Sequence, residues 1–385
     1  MPEQLTAHGI RTVFLEDVAT RIGHLAKLGG ALRVKLKRLQ TERSAPDDAA
    51  VILFTSGSEA EPKAVVLTHR NLLTNCAQIL DAFPISQHEV MFSALPHFHA
   101  FGLTAGVLLP LLNGMRTVIG LSPLRHKENI ALIRKEKPTV MLSTDTFLAQ
   151  LYKAAKPTDL SSLRYIVAGA ERVKPRTKEL YEALGISLLE GYGATEASPV
   201  IAVNVPGASK HGTVGRILSH IEYRIDPHEG IEEGGVLHVR GPSLMKSYLH
   251  DLLDNRSSLT EGWYDTGDIV TLDIEGYLTI KGRKKRFTKI AGEMISLGYI
   301  EETIAQISPD HLHAAIAIES DALSKTRIRL YTDDPALQLE QIRAHFSVAG
   351  IPNTHLPREL VHMTELPVLR TGKIDYQTLQ QQVQP

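Results

Sequence analysis

Between Ala49 and His69 an apolar run, Ala49 to Phe54, opens into Thr55, Ser56, Gly57 and Ser58, and Pro62 and Lys63 follow before a second apolar patch, Val65 to Leu67. The first run predicts a buried strand. Small residues let backbone N–H groups approach oxygen atoms, hydroxyls add donors, and one Lys supplies a mobile positive charge. That set suits a polyphosphate. It is not the common phosphate loop, which needs a second Gly followed by Lys and then Ser or Thr. Pro62, Lys63 and Ala64 stand there instead. A polar hairpin turn is the competing reading. Thr68 is placed to cap a helix that starts at His69.

Further chemistry sits at the ends of later apolar runs, where α/β proteins bind ligands. One cluster is Ala168, Gly169, Ala170 and Glu171; the other runs from Glu190 through Gly191, Tyr192, Gly193 and Ala194 to Thr195 and Glu196. Tyr192 can lay its ring on a purine, and Glu196 can hold a magnesium ion beside phosphates. Either cluster alone reads equally well as a turn. In the stretch Trp263 to Asp268, the Asp268 carboxylate suits two ribose hydroxyls if strands fix it, and a solvated turn if they do not. Lys281 to Lys289 packs six positive charges into nine residues. Only Phe287 there could stack on a base, so an interdomain connector fits better than a nucleic-acid patch. Thr371, Gly372 and Lys373 read as exposed loop, to which position alone gives no function. His97 and His99 flank Phe98 without an accompanying Cys or carboxylate cluster, so they read as structural or pocket-lining rather than metal-binding.

These residues need elements to position them. At 385 residues the chain is expected to form two or more domains, and its 43% hydrophobic and 22% charged content is that of an ordinary globular protein. A net charge of −1 gives no global argument for nucleic acid or an anionic membrane. One cysteine, Cys76, excludes an internal disulfide and fits a reducing compartment. No apolar stretch reaches membrane-spanning length, and Met1 to Thr12 lacks a signal-peptide core. The expectation is a soluble, cytoplasmic protein. Residues 1–47 carry a strand-like run, Thr12 to Leu15, and a basic helix-compatible segment, Ile22 to Arg43. From 51 to about 226 apolar runs (Thr117 to Ile119, Thr139 to Leu142, Arg164 to Ala168, Ile186 to Leu189) alternate with helical patterns. This predicts an α/β fold with a mostly parallel sheet. From about 212 to 281 short β-like runs separated by turns predict a β-rich subdomain, and a compact α+β unit follows Gly282.

In their order the motifs resemble those of the adenylate-forming superfamily of acyl-CoA synthetases, luciferases and peptide-synthetase adenylation domains. They are Thr55-Ser56-Gly57-Ser58 with Pro62-Lys63, Leu95-Pro96 with Phe98-His99, Gly191-Tyr192-Gly193 with Thr195-Glu196, Tyr264 with Thr266-Gly267-Asp268, Gly282-Arg283, and Thr371-Gly372-Lys373. The form of the first loop, Val167 to Glu171, Gly212 to Leu218 and Lys289 to Met294 are most similar to the ligase portion of bifunctional 2-acylglycerophosphoethanolamine acyltransferase/acyl-acyl carrier protein synthetases.

The resemblance implies a large N-terminal domain (48–282, with the β-rich subdomain at about 212–281), a hinge at 283–286 and a small mobile C-terminal domain (287–385). It implies that Thr55, Ser56, Gly57, Ser58 and Lys63 wrap the phosphates of ATP. Gly169, Ala170, Glu171, Tyr192 and Gly193 would form the adenine site. Thr195 and Glu196 would contact phosphate, with Mg²⁺ on Glu196 and Thr55, while Asp268 and Arg283 hold the ribose. Lys285 matches the hinge residue, Lys373 the lysine of the adenylation step, and His99 a position at the mouth of the acyl pocket. The implied activity is ATP-dependent activation of a fatty acid and its transfer to a pantetheine thiol, of acyl carrier protein or of coenzyme A, in fatty acid or phospholipid metabolism.

The resemblance also implies departures. Ala60 and Ala64 replace glycines, and Asp375-Tyr376 replaces a basic ending. About fifty residues precede the loop where the family has well over a hundred, so residues 1–47 are expected to be a remnant. Activity by the isolated chain then stands against a nucleotide-binding subunit completed by a separate N-terminal segment. No His-x4-Asp pair occurs, so a phospholipid acyltransferase is expected only as a separate partner. Peripheral contact with the inner face of the membrane is left open.

Overall fold

The structure is a computed structural model, and it describes residues 15–36, 43–55, 63–83, 85–254, 258–320, 325–368 and 374–382. The chain separates into two compact units, Met1–Ala45 and Pro46–Pro385. In the first, helices span Leu15–Arg21 and His24–Lys35. The acids Glu16 and Asp17 in the opening turn and Arg21 in the last complement the dipole of the shorter helix. The expected strand at Thr12 to Leu15 falls outside the described residues except for Leu15, which begins that helix.

In the second unit the strands up to the connector are, in chain order, β1 (Ala49–Phe54), β2 (Ala64–Thr68), β3 (Val90–Ser93), β4 (Arg116–Ile119), β5 (Val140–Ser143), β6 (Tyr165–Ala168), β7 (Ser187–Gly193), β8 (Val200–Val203), β9 (Arg216–Ile217), β10 (Glu222–Asp226), β11 (Gly235–Arg240), β12 (Ser247–Tyr248), β13 (Tyr264–Leu272) and β14 (Leu278–Arg283). A seven-stranded sheet takes the order β4-β3-β5-β6-β7-β8-β9. Its pairs are parallel from β4 to β7 and antiparallel from β7 to β9. The mostly parallel α/β sheet expected from the apolar runs is therefore present. Successive side chains of its strands enter two different cores. Met91, Val140, Leu142 and Leu189 join Ile79 and Leu109 on one face, while Phe92, Met141, Ile166 and Leu188 join Ile133 and Leu148 on the other. Strands covered on both faces carry no polar alternation, which is why they read as continuous apolar runs.

The helix His69–Ala82 starts where Thr68 predicts. The Thr68 side chain accepts from Asn71 N, and the Asn71 side chain accepts from Thr68 N, so the cap is reciprocal. Its polar face is also used. Asn75 exchanges two hydrogen bonds with the Val200 backbone, and Gln78 donates to Ser219 O. These buried amides hold β8 and the loop after β9 against the helix.

The first strand departs from expectation. β1 pairs antiparallel with β2, which in turn pairs antiparallel with β12, so β1 is the edge of a separate three-stranded sheet. Leu53 is buried, but Ile52 and Phe54 are exposed. An apolar run gives no sign of whether a neighbour covers its second face. At the start of the stretch expected to hold short β-like runs, Gly212 to Gly215 is a loop, with Val214 N donating to Leu278 O. β10, β11, β13 and β14 form an antiparallel sheet in that order.

Beyond a 3-10 turn at Lys284–Arg286, a hairpin joins Phe287–Ile290 to Glu293–Ser296. A three-stranded sheet follows, from His313–Ser320, Lys325–Thr332 and Glu359–His362. Helices Leu297–Ala305 and Leu339–Val348 pack on one face through Ile300, Ile304, Ile342 and Phe346, and Leu379 of the helix Tyr376–Gln381 packs on the other.

Leu148 is fully buried between the sheet and its helical layer. Leu148→Ala should lower the unfolding free energy by about 2–5 kcal/mol. Leu73→Ala, at a half-exposed position, should shift it by less than about 0.5 kcal/mol. Urea titrations followed by circular dichroism measure both.

Candidate nucleotide site

Asp268 lies inside β13, not on a turn, and is buried. It pairs directly across the ladder with Arg283 of β14, whose Nε sits 2.8 Å from Asp268 Oδ1. Tyr192, at the carboxyl end of β7, donates its hydroxyl to Asp268 Oδ2 at 2.5 Å. Thr266 Oγ1 donates to Leu237 O and accepts from Asp268 N, fixing the backbone. Burial holds the Asp268 carboxyl above the usual Asp range, against the opposing pull of Arg283 and Tyr192. Burial and the adjacent Asp268 raise the Tyr192 hydroxyl well above the tyrosine range, so it stays a donor. Arg283 is largely exposed, whereas its partner Asp268 is buried.

Glu196 is built similarly. It lies in the 3-10 turn Thr195–Ala197 directly after β7 and is buried. Tyr248 of β12 donates its hydroxyl to Glu196 Oε1 at 2.7 Å. Lys63 Nζ stands 4.7 Å from the centroid of the same Tyr248 ring, a cation–π contact. His250 stacks on that ring at 5.5 Å. Thr55 and Lys63 face each other at the mouth of the β1–β2 hairpin, with Thr55 N donating to Lys63 O and Lys63 N to Thr55 Oγ1. Tyr264, which opens β13, lies near Glu196, Tyr248 and Tyr192. Burial, then Glu196, Tyr248 and Tyr192 raise its hydroxyl far above the usual range.

Other expected residues fall as follows. A Cβ on Gly193 would lie 2.0 Å from Pro199 O, so the close approach of the next strand requires glycine there even without a ligand. A Cβ on Gly169 would come within 3.3 Å of the Phe101 ring. Ala170 has φ of +66°, a strained value for a residue with a side chain. Glu171 accepts from Thr146 N and Thr146 Oγ1, at the start of the helix Asp145–Ala154. His99 precedes the helix Ala100–Leu103, and Lys285 lies in the turn Lys284–Arg286. Ser56, Gly57, Ser58 and Lys373 lie outside the described residues. The structure thus joins Tyr192, Asp268 and Arg283 in one bonded set, and Glu196 and Lys63 in a second through Tyr248.

Tyr248, Thr146 and Phe101 were not singled out from the sequence. Tyr248 sits in a two-residue strand, and no spacing announces it. Among the described residues no three of His, Cys, Asp and Glu converge where a metal ion could sit. A magnesium ion bound by one carboxylate and substrate phosphates needs no such cage. Among the described residues no helix is long and apolar enough to cross a membrane.

Comparison with known proteins gives the context. The chain is 31% identical over 340 residues to the medium-chain fatty-acid–CoA ligase of Escherichia coli (strain K12), covering 85% of this chain and 60% of that protein. It is 30% identical over 340 residues to the long-chain-fatty-acid–CoA ligase of Yersinia pestis, with the same coverage of each. It therefore spans about 60% of the length of these curated relatives. The O-succinylbenzoate coenzyme A synthetase of Bacillus subtilis, solved in complex with ATP and magnesium ion, superposes with a TM-score of 0.84 at 22% identity, over 99% of this chain and 77% of that one. At that identity the likeness shows the fold alone. Residues 6–249 match the AMP-binding enzyme family, and the chain belongs to it.

Proposed function

We propose that the chain activates a fatty acid with ATP and passes the acyl group to a pantetheine thiol, as an AMP-forming acid–thiol ligase. The observation that carries this reading is the pair of buried carboxylates, Asp268 and Glu196, each held by a tyrosine beside the carboxyl end of β7. The fatty-acid–CoA ligase names of the relatives support the substrate class and coenzyme A as acceptor. Acyl carrier protein as acceptor and a role in phospholipid metabolism rest on the finer motif resemblance.

A carboxylate is a poor acyl donor because oxide would have to leave. In the proposed reaction a carboxylate oxygen of the acid attacks the α-phosphorus of ATP. The bond from that phosphorus to its bridging oxygen breaks, and pyrophosphate leaves with the electron pair. The thiolate then attacks the acyl carbonyl, and AMP leaves.

Each oxygen of Asp268 spends one lone pair on Tyr192 or Arg283, and an ionised carboxylate offers about four acceptor sites. It retains capacity for two ribose hydroxyls. Lys63, resting on the Tyr248 ring, is a cation close to Glu196 that can follow the departing pyrophosphate. Lys373 is proposed as the second cation, acting on the charge that develops at the α-phosphate. Glu196, with Thr55, would hold Mg²⁺, which when bound withdraws charge from the phosphate oxygens. Ser56, Gly57 and Ser58 are proposed to donate to the phosphates, Gly169, Ala170 and Glu171 to border the adenine, and His99 the acyl group. Residues 287–385 are proposed to swing about 283–286 so that Lys373 departs before the thiol arrives.

A pyrophosphate-release screen across acids, with coenzyme A and acyl carrier protein as rival acceptors, tests the activity. Nucleotide binding without release, for every acid, would favour a non-catalytic subunit that a separate chain completes. Lys373→Ala should reduce acid-dependent ATP–pyrophosphate exchange by at least about a hundredfold while ATP affinity stays within about threefold; undiminished exchange would refute its role. Asp268→Ala should weaken ATP binding by at least about tenfold in calorimetry, the effect of about 1.4 kcal/mol.

The raised Asp268 carboxyl gives a pH signature. The folded protein keeps this proton where the unfolded chain has lost it. Its stabilising contribution is therefore present below the ordinary Asp range and is lost as pH rises through the raised folded value. The unfolding free energy of the parent minus that of Asp268→Asn should fall through this window and level off above it. Urea titrations at stepped pH would show a flat difference if the assignment is wrong.

A further inference from the structure

Every residue from Glu16 to Leu36 with a described side chain is exposed, and the helix His24–Lys35 contributes nothing to a core. At helical spacing Leu25, Leu28, Leu32 and Leu36 fall in one stripe, and they are 89%, 73%, 57% and 54% exposed. Single exposed leucines are ordinary, whereas three aligned on one helix, with a fourth at its C-cap, make a patch that requires an occupant. Lys35 and Arg33 border the stripe on its two sides, and Lys27 stands on the opposite face.

The charge pattern identifies that occupant. From Arg21 to Arg38 the sequence carries six Lys or Arg and no Asp or Glu, in a chain whose net charge is −1. Gly29 and Gly30 sit mid-helix, and Gly23 at the N-cap supplies no side-chain cap. A 12-residue helix so composed is marginal in water and gains from a surface that buries its leucines. An anionic bilayer offers both parts at once, phosphate headgroups for the cations and an acyl layer for the stripe. A second copy would set two cationic helices face to face. A nucleic acid would neutralise the cations and leave the leucines in water.

We infer that the helix His24–Lys35, with Leu36 at its C-cap, is an interfacial helix that docks this chain, leucine stripe inward, on membrane surfaces rich in anionic lipid. This inference is independent of the ligase reading and survives its failure. Flotation of the full chain with vesicles of phosphatidylcholine, alone or with about one-third phosphatidylglycerol, tests it. The parent should partition at least about tenfold better onto the anionic vesicles, and salt should reduce this preference. Leu28→Ser with Leu32→Ser should reduce binding to anionic vesicles at least about tenfold. Lys27→Gln, Arg33→Gln and Lys35→Gln together should erase the preference for anionic lipid. Because these side chains bury nothing, both variants should keep the parent's thermal midpoint. In an otherwise parental chain, Leu28→Trp should shift its fluorescence to the blue when anionic vesicles are added. Failure of the parent to float, or full binding by the serine variant, overturns the inference. So does a lipid-free dimer or an RNA gel shift that the same leucine substitutions abolish while flotation persists.

Discussion

A carboxylate in the middle of a strand is the constraint around which this molecule is assembled. Asp268 sits in a sheet interior where an uncompensated charge would be strongly disfavoured. Two groups make it tolerable, and they come from different sheets. Arg283 is its cross-strand neighbour in the antiparallel sheet, and Tyr192 ends a strand of the seven-stranded sheet. Neither sheet can shift against the other without leaving a buried oxygen of Asp268 short of a donor. The relation between the two sheets is thus set by directional bonds as well as by the apolar core they share. The place where they meet is also where an exposed arginine and a buried acid could present themselves to a ligand.

Glu196 applies the same constraint to the small hairpin sheet. Its side chain takes the Tyr248 hydroxyl and its carbonyl takes Met245 N, while Lys246 N donates to Val66 O. The turn after β7, the strand β12 and the strand β2 are therefore bonded in series. Lys63, immediately before β2, lies on the Tyr248 ring as part of the same series. Three sheets that share few strands of neighbouring sequence converge on two acids and three tyrosines.

How much of this the sequence disclosed follows from the range of each interaction. The parallel strands were legible because burial on both faces leaves a mark within a few residues. The cap at Thr68 and Asn71 is equally local. Asp268 was legible as a candidate, but the choice between a strand-held acid and a solvated turn was not. That choice is decided by Arg283 across the ladder and by Tyr192, 76 residues away. Tyr248 left no trace because its partner is 52 residues distant and its strand has two residues. The error at β1 has a related cause. Apolar content marks a segment as able to be buried, and only the neighbouring chain determines whether it is. The glycine at 193 shows a further limit, since a packing contact with Pro199 and a ligand contact predict the same residue.

Glu301 repeats the device on the far side of the connector, and the repetition bears on where that connector can bend. Its carboxylate accepts from Arg286 Nη2, from Ala315 N and from the Tyr376 hydroxyl, while the Arg286 guanidinium lies 3.8 Å from the centroid of the Tyr376 ring. Burial raises the Glu301 carboxyl despite these partners. Arg283 is thus anchored to Asp268, before the 3-10 turn, and Arg286 to Glu301, after it. Two residues, Lys284 and Lys285, separate these anchors. A rotation of the C-terminal part that preserves both acid–arginine pairs must be absorbed by the dihedral angles of that short 3-10 turn. A rotation centred elsewhere would first have to separate Asp268 or Glu301 from its arginine. A hinge at Lys284 and Lys285, within the 283–286 proposed from motif resemblance, would keep both acids paired with their arginines.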